Sequence, residues 1–260
     1  MSEENCGVII RALSGFYDVD TGSKIVRCRA RGKLRKLGIT PLVGDKAVFQ
    51  PSGDSGYVQE ILPRKNSFIR PAVANVDVLV MMGCQVNPIT EPFLIDRVAA
   101  IAAAQNVETL LLLTKCDLDP AEELYAIYRQ AGIPVIRTST ETGLGVEEVR
   151  ARLKGKLAAF TGNSGVGKST MLNALYPEAN METGEVSDKL GRGRHTTREV
   201  TIFEAFGGRI ADTPGFASLE ANRAGFIPKE NLEHAFPEFG PYLGECQFTG
   251  CSHRTEKGCA

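Results

Sequence analysis

No apolar run in the 260-residue chain approaches the roughly eighteen residues of a membrane-crossing helix, so no such helix is expected. The first residues, MSEENCGVII, lack the basic-then-apolar order of a secretory leader, which makes a cytoplasmic protein with no membrane partner the expectation. Internal repeats and low-complexity tracts are missing. The pairing a disulfide framework would need is missing too, because the seven cysteines are odd in number. Cys6, Cys28, Cys84 and Cys116 are scattered, whereas Cys246, Cys251 and Cys259 crowd the C-terminal end. Clustering of that kind points to a metal.

What is present is an ordinary globular composition, 43% hydrophobic and 23% charged, in a chain long enough for a domain with smaller modules. The net charge of −1 hides an uneven distribution. Residues 1–70 hold 12 of the 30 basic residues but only 7 of the 31 acidic ones, leaving an acidic body behind a basic head. Such a head suits a polyanion such as nucleic acid, and a solvated surface shows the same bias.

That head, residues 1–70, reads as short strands, GVIIRAL, SKIVRCRARG, DKAVFQ and GYVQEIL, with turns at DVDTGS and PSGDSG. The spacing predicts a small β-barrel of the oligonucleotide-binding (OB) type, another small β-module being the alternative. Arg27, Arg29, Arg31, Lys33 and Arg35 recur at every second position, which on one extended strand sends five cations to one face. Such a stripe would track RNA phosphates; its plain alternative is a charged strand edge protected from aggregation.

From residue 71 to about 221 the texture becomes alternating α/β. VDVLVMMG, TLLLLTK, IPVIRTS and KLAAFTG read as strands, FLIDRVAAIAAAQN, AEELYAIYRQAG and VEEVRARLKG as helices, and VTIFEAF with GRIADTPG as a strand pair. This predicts a mostly parallel sheet covered by helices.

At 162–169 the chain reads GNSGVGKS, between a predicted strand and a predicted helix. Gly162, Asn163, Ser164, Gly165, Val166 and Gly167 would curl their N–H groups around phosphates, with Thr170 continuing the contact at the helix start. Lys168 reaches the outer phosphates and the Ser169 hydroxyl coordinates Mg²⁺. Asp212, in ADTPG, would hold Mg²⁺ through water, and the Gly215 N–H would sense the γ-phosphate. TKCDL at 114–118 offers Asp117 as acceptor for guanine N1–H and N2–H₂, while the Lys115 stem lies along the purine. Thr114 stands where such loops usually have asparagine. Ser139, Thr140 and Glu141 resemble a second base-contacting loop.

The base-reading loop thus precedes the phosphate loop, the reverse of the usual order. Cutting one surface connection and joining neighbouring termini keeps every core contact, so rotation is cheap and a circularly permuted GTPase domain is predicted. The C-terminal residues 222–260 end in C-x4-C-x-H-x5-C, so Cys246, Cys251, His253 and Cys259 form a closed four-ligand set for one structural Zn²⁺.

These loops, together with ALSGFYDV, CRARGKLRK, PLVGDKAVF, PRKNSFIRP, VANVDVLV and GRGRHTT, resemble the bacterial ribosome small-subunit-dependent GTPase A family over essentially the whole chain. The resemblance implies an OB barrel, a permuted P-loop GTPase domain and a zinc domain, the last normally followed by a helix that these 260 residues do not include. It further implies GTP and GDP as ligands, and the small (30S) subunit with its 16S rRNA as a partner that stimulates hydrolysis late in subunit maturation. A monomer is expected.

In GRGRHTTR, either Thr196 or Thr197 would complete the Mg²⁺ shell, and His195 would orient the attacking water or else contact RNA. Phe216 stands where many GTPases carry a water-orienting glutamine, which leaves room for a non-catalytic, nucleotide-dependent RNA-binding module. A small-molecule kinase would share the phosphate loop but leave the TKCDL loop unexplained. His234 reads as a surface or structural residue.

Overall fold

The computed structural model describes residues 5–69, 71–177, 200–212 and 227–260. Five strands open the chain: β1 (Cys6–Leu13), β2 (Phe16–Asp20), β3 (Ile25–Ala30), β4 (Lys46–Ser52) and β5 (Ser55–Ile61), with a short helix α1 (Gly32–Lys36) before β4. Their order is β1-β2-β3-β5-β4, and β1 pairs again with β4, so the sheet closes on itself. Every pairing is antiparallel except β3 with β5. This is the predicted OB-type barrel. Alternation packs it: Ile9, Val19, Val26, Cys28, Phe49 and Val58 fill the interior while their neighbours face out. Ser14 and Gly15, both at positive φ (49° and 81°), make the two-residue turn that matches strand twist between β1 and β2.

The cationic stripe is not one strand. β3 stops at Ala30, and Gly32, Lys33 and Arg35 belong to α1 instead. The cause is Leu34, which is 3% exposed and plugs the barrel from the helix; an extended chain would carry it past the opening. Helix geometry also suits the charges, since Lys33, Arg35 and Lys36 fall in the last turn, at the negative end of the dipole. β2 corrects a second expectation, because DVD belongs to a strand. Val19 is fully buried there, while Asp18 faces out and accepts a hydrogen bond from Arg27 Nε at 3.0 Å.

Below the barrel, Asp45 is completely buried and held on several sides. Arg64 donates from Nε to Oδ1 (2.7 Å) and from Nη2 to Oδ2 (2.8 Å), and the Leu42 N–H donates to Oδ2 at 2.7 Å. Removing one partner of such a pair strands the other. Arg64→Ala is therefore expected to destabilise the protein by about 3 kcal/mol or more, read as a lower urea midpoint.

A small hairpin, β6 (Ser67–Ile69) and β7 (Ala72–Ala74), leads into the second sheet. There follow β8 (Val78–Gly83), α2 (Pro92–Ala104), β9 (Glu108–Leu113), α3 (Glu122–Gln130), β10 (Val135–Arg137), α4 (Val146–Leu153), β11 (Leu157–Gly162), α5 (Lys168–Leu175), β12 (Thr201–Ala205) and β13 (Gly208–Asp212). The order is β10-β9-β8-β11-β13-β12, parallel throughout except for β12 against β13. Continuous apolar runs such as VLVMMG, buried at all six positions, follow from helices covering both faces. Counted from β11 and continued from β13 to β8, the strands read 2-3-1-4-5-6 across the sheet. The order reverses beside β11, and ligands of open α/β sheets bind at such a point, outside the strands' carboxyl ends.

The barrel and this sheet are joined. β1 pairs antiparallel with β12 at Arg11 and Thr201, giving one eleven-stranded sheet. Arg209 of β13 also donates to Asp20 of β2 at 2.9 Å.

Candidate nucleotide and metal sites

β11 is buried at all six positions and ends at Gly162, whose φ is 144°. A Cβ there would lie 2.5 Å from the Met82 carbonyl oxygen, so only glycine lets the loop turn against β8. Gly165 and Gly167, at φ 79° and 98°, complete the curl over Asn163 and Ser164, and fully buried Val166 anchors it. α5 begins at Lys168, so the positive end of the helix and its free N–H groups face the loop. Lys168 Nζ donates to the carbonyls of Gly162 (2.6 Å) and Asn163 (3.3 Å), and burial pushes its pKa down. An ammonium held this way favours an arriving polyanion over its own loop carbonyls. Ser169 and Thr170 occupy the first turn of the same helix.

The base-reading loop leaves β9 beside it. Thr114 is buried, and its Oγ1 lies 2.8 Å from the Val166 carbonyl and 3.2 Å from that of Gly83. One hydroxyl proton serves one carbonyl at a time, and the shorter contact ties the base loop to the phosphate loop. Threonine, where such loops usually have asparagine, thus supplies a brace between the two loops. Thr114→Val keeps the shape and removes the donor. It should weaken GDP binding roughly tenfold, because a buried carbonyl left alone costs about 1–3 kcal/mol; titration with a fluorescent GDP measures it.

Lys115 takes φ 58° and donates from Nζ to the Asn87 carbonyl of the β8–α2 loop. Asp117 is exposed, and the Cys116 N–H donates to the Thr138 carbonyl at 3.0 Å, joining the loop to the one after β10. There Ser139 is buried while Thr140 and Glu141 reach the same depression. A cavity of about 270 Å³ results, lined by Lys115 and Asp117 on one side, Thr140 and Glu141 on another, and Gly167 and Thr170 on the third. A larger cavity of about 940 Å³ lies at the opposite end of β11, between barrel and sheet, away from the phosphate loop.

β13 ends at Asp212, and its register with β11 (Ala159 beside Ala211) sets that residue next to the strand carrying the phosphate loop. Ser169 and Asp212 are of the hydroxyl and carboxylate types that Mg²⁺ takes as oxygen donors. His195, Thr196, Thr197, Gly215 and Phe216 lie outside the described residues.

On the barrel, the five predicted cations separate. Arg29, Arg31 and Arg35 line a depression of about 520 Å³ with Phe16 and Tyr17, and the Arg29 guanidinium stacks 4.5 Å from the Phe16 ring centre. Arg27 is engaged by Asp18, and Lys33 lies outside the depression.

At the C-terminal end, Cys246, Cys251, His253 and Cys259 bring one ligand atom each within 4.8 Å of one another. His253 Nδ1 is 3.5 Å from the Sγ atoms of both Cys246 and Cys259. Tetrahedral Zn²⁺ with Zn–S near 2.3 Å and Zn–N near 2.0 Å requires an S···N edge of about 3.5 Å, so the set fits the ion. Desolvation and the neighbouring Cys251 and Cys246 push the Cys259 thiol up to about 11, so a cation that binds it must displace its proton. His234, as expected, is a surface residue. Sequence reasoning missed Glu233, which meets His253 at 2.9 Å, and it placed Val166 in the phosphate loop without its carbonyl's contact to Thr114. Glu233 belongs to no spacing pattern that would have flagged it.

A closed β-barrel leading into an α/β sheet with phosphate and guanine loops in reversed chain order defines a circularly permuted P-loop GTPase. Residues 6–58 match the RsgA N-terminal domain and residues 61–222 the RsgA GTPase family, and the chain belongs to that family. Curated relatives named small ribosomal subunit biogenesis GTPase RsgA include one from Geobacillus kaustophilus, 42% identical over 98% of this chain and 88% of its own. Another, from Caldanaerobacter subterraneus, is 44% identical over 98% and 86%. Among solved structures, YjeQ from Thermotoga maritima superposes with a TM-score of 0.79 at 33% identity, covering 98% of this chain and 88% of that one. YloQ, described as a circularly permuted GTPase, gives 0.78 at 36% identity, with 98% and 85% covered.

Proposed function

We propose that this chain hydrolyses GTP in the biogenesis of the small ribosomal subunit, and that the subunit stimulates the hydrolysis. The contact of Thr114 with the Val166 carbonyl carries the nucleotide part, since it holds a guanine-reading loop against a phosphate cradle. The names of the relatives support the ribosomal part.

In this reading Asp117 accepts from the guanine edge, Lys115 covers the purine, and Thr140 and Glu141 close the far side. Residues 162–167 present N–H groups to the phosphates, with Lys168 and Thr170 completing the cradle and Gly215 contacting the γ-phosphate. Ser169, Asp212 and Thr196 or Thr197 hold Mg²⁺, which when bound neutralises charge developing on the phosphates. His195 orients the attacking water, because Phe216 cannot hydrogen-bond it. One Zn²⁺ on Cys246, Cys251, His253 and Cys259 is structural, since four protein ligands leave no open position.

Arg29, Arg31 and Arg35, with Arg27 and Lys33 on the flanks, contact phosphates of 16S rRNA, while the Phe16 ring offers a face for an unpaired base. The protein works as a cytoplasmic monomer, divided into barrel (1–70), GTPase (71–221) and metal (222–260) domains. GTP and ATP turnover, measured with and without purified small subunits, tests the reading. Stimulation confined to GTP is expected; turnover indifferent to the subunit would overturn it.

A further inference from the structure

His253 has two ring nitrogens, and the structure engages both. Nδ1 faces the sulfurs of Cys246 and Cys259 at 3.5 Å, and Nε2 lies 2.9 Å from Glu233 Oε2. A neutral imidazole carries one N–H. If it sits on Nε2, it donates to the carboxylate and leaves the Nδ1 lone pair directed at the thiols. Nothing in C-x4-C-x-H-x5-C itself makes that choice.

Glu233 comes from outside the metal loop, twenty residues before the histidine. It opens a single 3-10 turn, Glu233–Ala235, packed on α2. Ala235, 2% exposed, is the only buried residue among the described residues 227–260. Ile227, just upstream, rests on the core of the α/β sheet. The same Glu233 carboxylate lies 3.6 Å from His234 Nε2, too far for a hydrogen bond, so His253 is its short partner.

We propose that Glu233 is a positioning residue of the metal centre: its carboxylate fixes His253 as an Nδ1 ligand and fastens the metal loop to the segment docked on α2. This rests on the reading that the cysteine–histidine cluster holds zinc. A carboxylate behind a ligating imidazole orients the ring and raises its basicity, and losing such a partner typically weakens metal binding roughly 10–100-fold.

The test uses the full-length, zinc-loaded chain in competition with a chromophoric chelator. Glu233→Ala should weaken zinc roughly 10–100-fold. Glu233→Gln should lose less, because the amide oxygen still accepts from Nε2–H. Glu230→Ala removes an exposed carboxylate from the same segment and should match the parent. An unchanged GDP affinity in Glu233→Ala shows that the nucleotide domain is folded. Nitrogen NMR of the zinc-loaded parent should show Nδ1 bound and Nε2 protonated. Zinc affinity of Glu233→Ala within twofold of the parent, or Nε2 as the bound nitrogen, overturns the proposal while leaving the zinc reading intact. Failure of the parent to bind one equivalent of zinc overturns both.

Discussion

Asp117→Asn is expected to exchange guanine for xanthine. Guanine offers two donors, N1–H and N2–H₂, to the two carboxylate oxygens of Asp117, which is exposed on the wall of the 270 Å³ cavity. Asparagine presents one acceptor and one donor. It suits N1–H beside a carbonyl at C2, the edge of xanthine, and it sets N–H against N–H with guanine. Two hydrogen bonds to a charged group contribute about 3–6 kcal/mol together, so GDP affinity should fall roughly 10²–10⁴-fold. XDP should gain in the same protein, and competition between GDP and XDP measures both. If guanine preference survives, the loop at 114–118 does not read the base. The phosphate loop would still bind, and the permuted reading would lose its second half.

Chelation of zinc should have the other large effect, confined to the C-terminal end. Apart from Ala235, nothing among the described residues 227–260 is buried, and 246–260 has no regular helix or strand. A segment without a core has little to offset its chain entropy. Structural zinc contributes about 10–16 kcal/mol at neutral pH, enough to account for the order of the loop alone. Stripping the metal should abolish amide protection over 246–260, while β8, β9 and β11 keep theirs and GDP binding persists. Cys251→Ser should reproduce the loss. Protection that survives chelation would show that the cysteines act as an ordinary small core.

What the sequence disclosed and what it hid differ for physical reasons. The loop at Gly162–Ser169 was readable one stretch at a time, because its turn between β11 and α5 is tied to glycine spacing. β8 and β11 were readable because every position in them is buried. The cationic run from Arg27 to Arg35 misled, since alternation of charge reports a period but not where a strand stops. Leu34 decided that, and its role as a plug exists only once the barrel has closed. β2 was hidden by Asp18 and Asp20, turn-formers by habit, whose partners Arg27 and Arg209 lie 9 and 189 positions away. The hold of Thr114 on the Val166 carbonyl and the contact of Glu233 with His253 were out of reach for the same reason: each joins groups far apart along the chain.

The pairing of β1 with β12 has a mechanical meaning. β12 is hydrogen-bonded to β13, which lies beside β11, so backbone pairing runs from the barrel to the strand that leads into the phosphate loop. A hinge at that seam would break ladder bonds and the clasp between Arg209 and Asp20. The Arg11–Thr201 pairing and the Arg209–Asp20 clasp thus tie the orientation of the N-terminal module to the sheet that carries the phosphate loop.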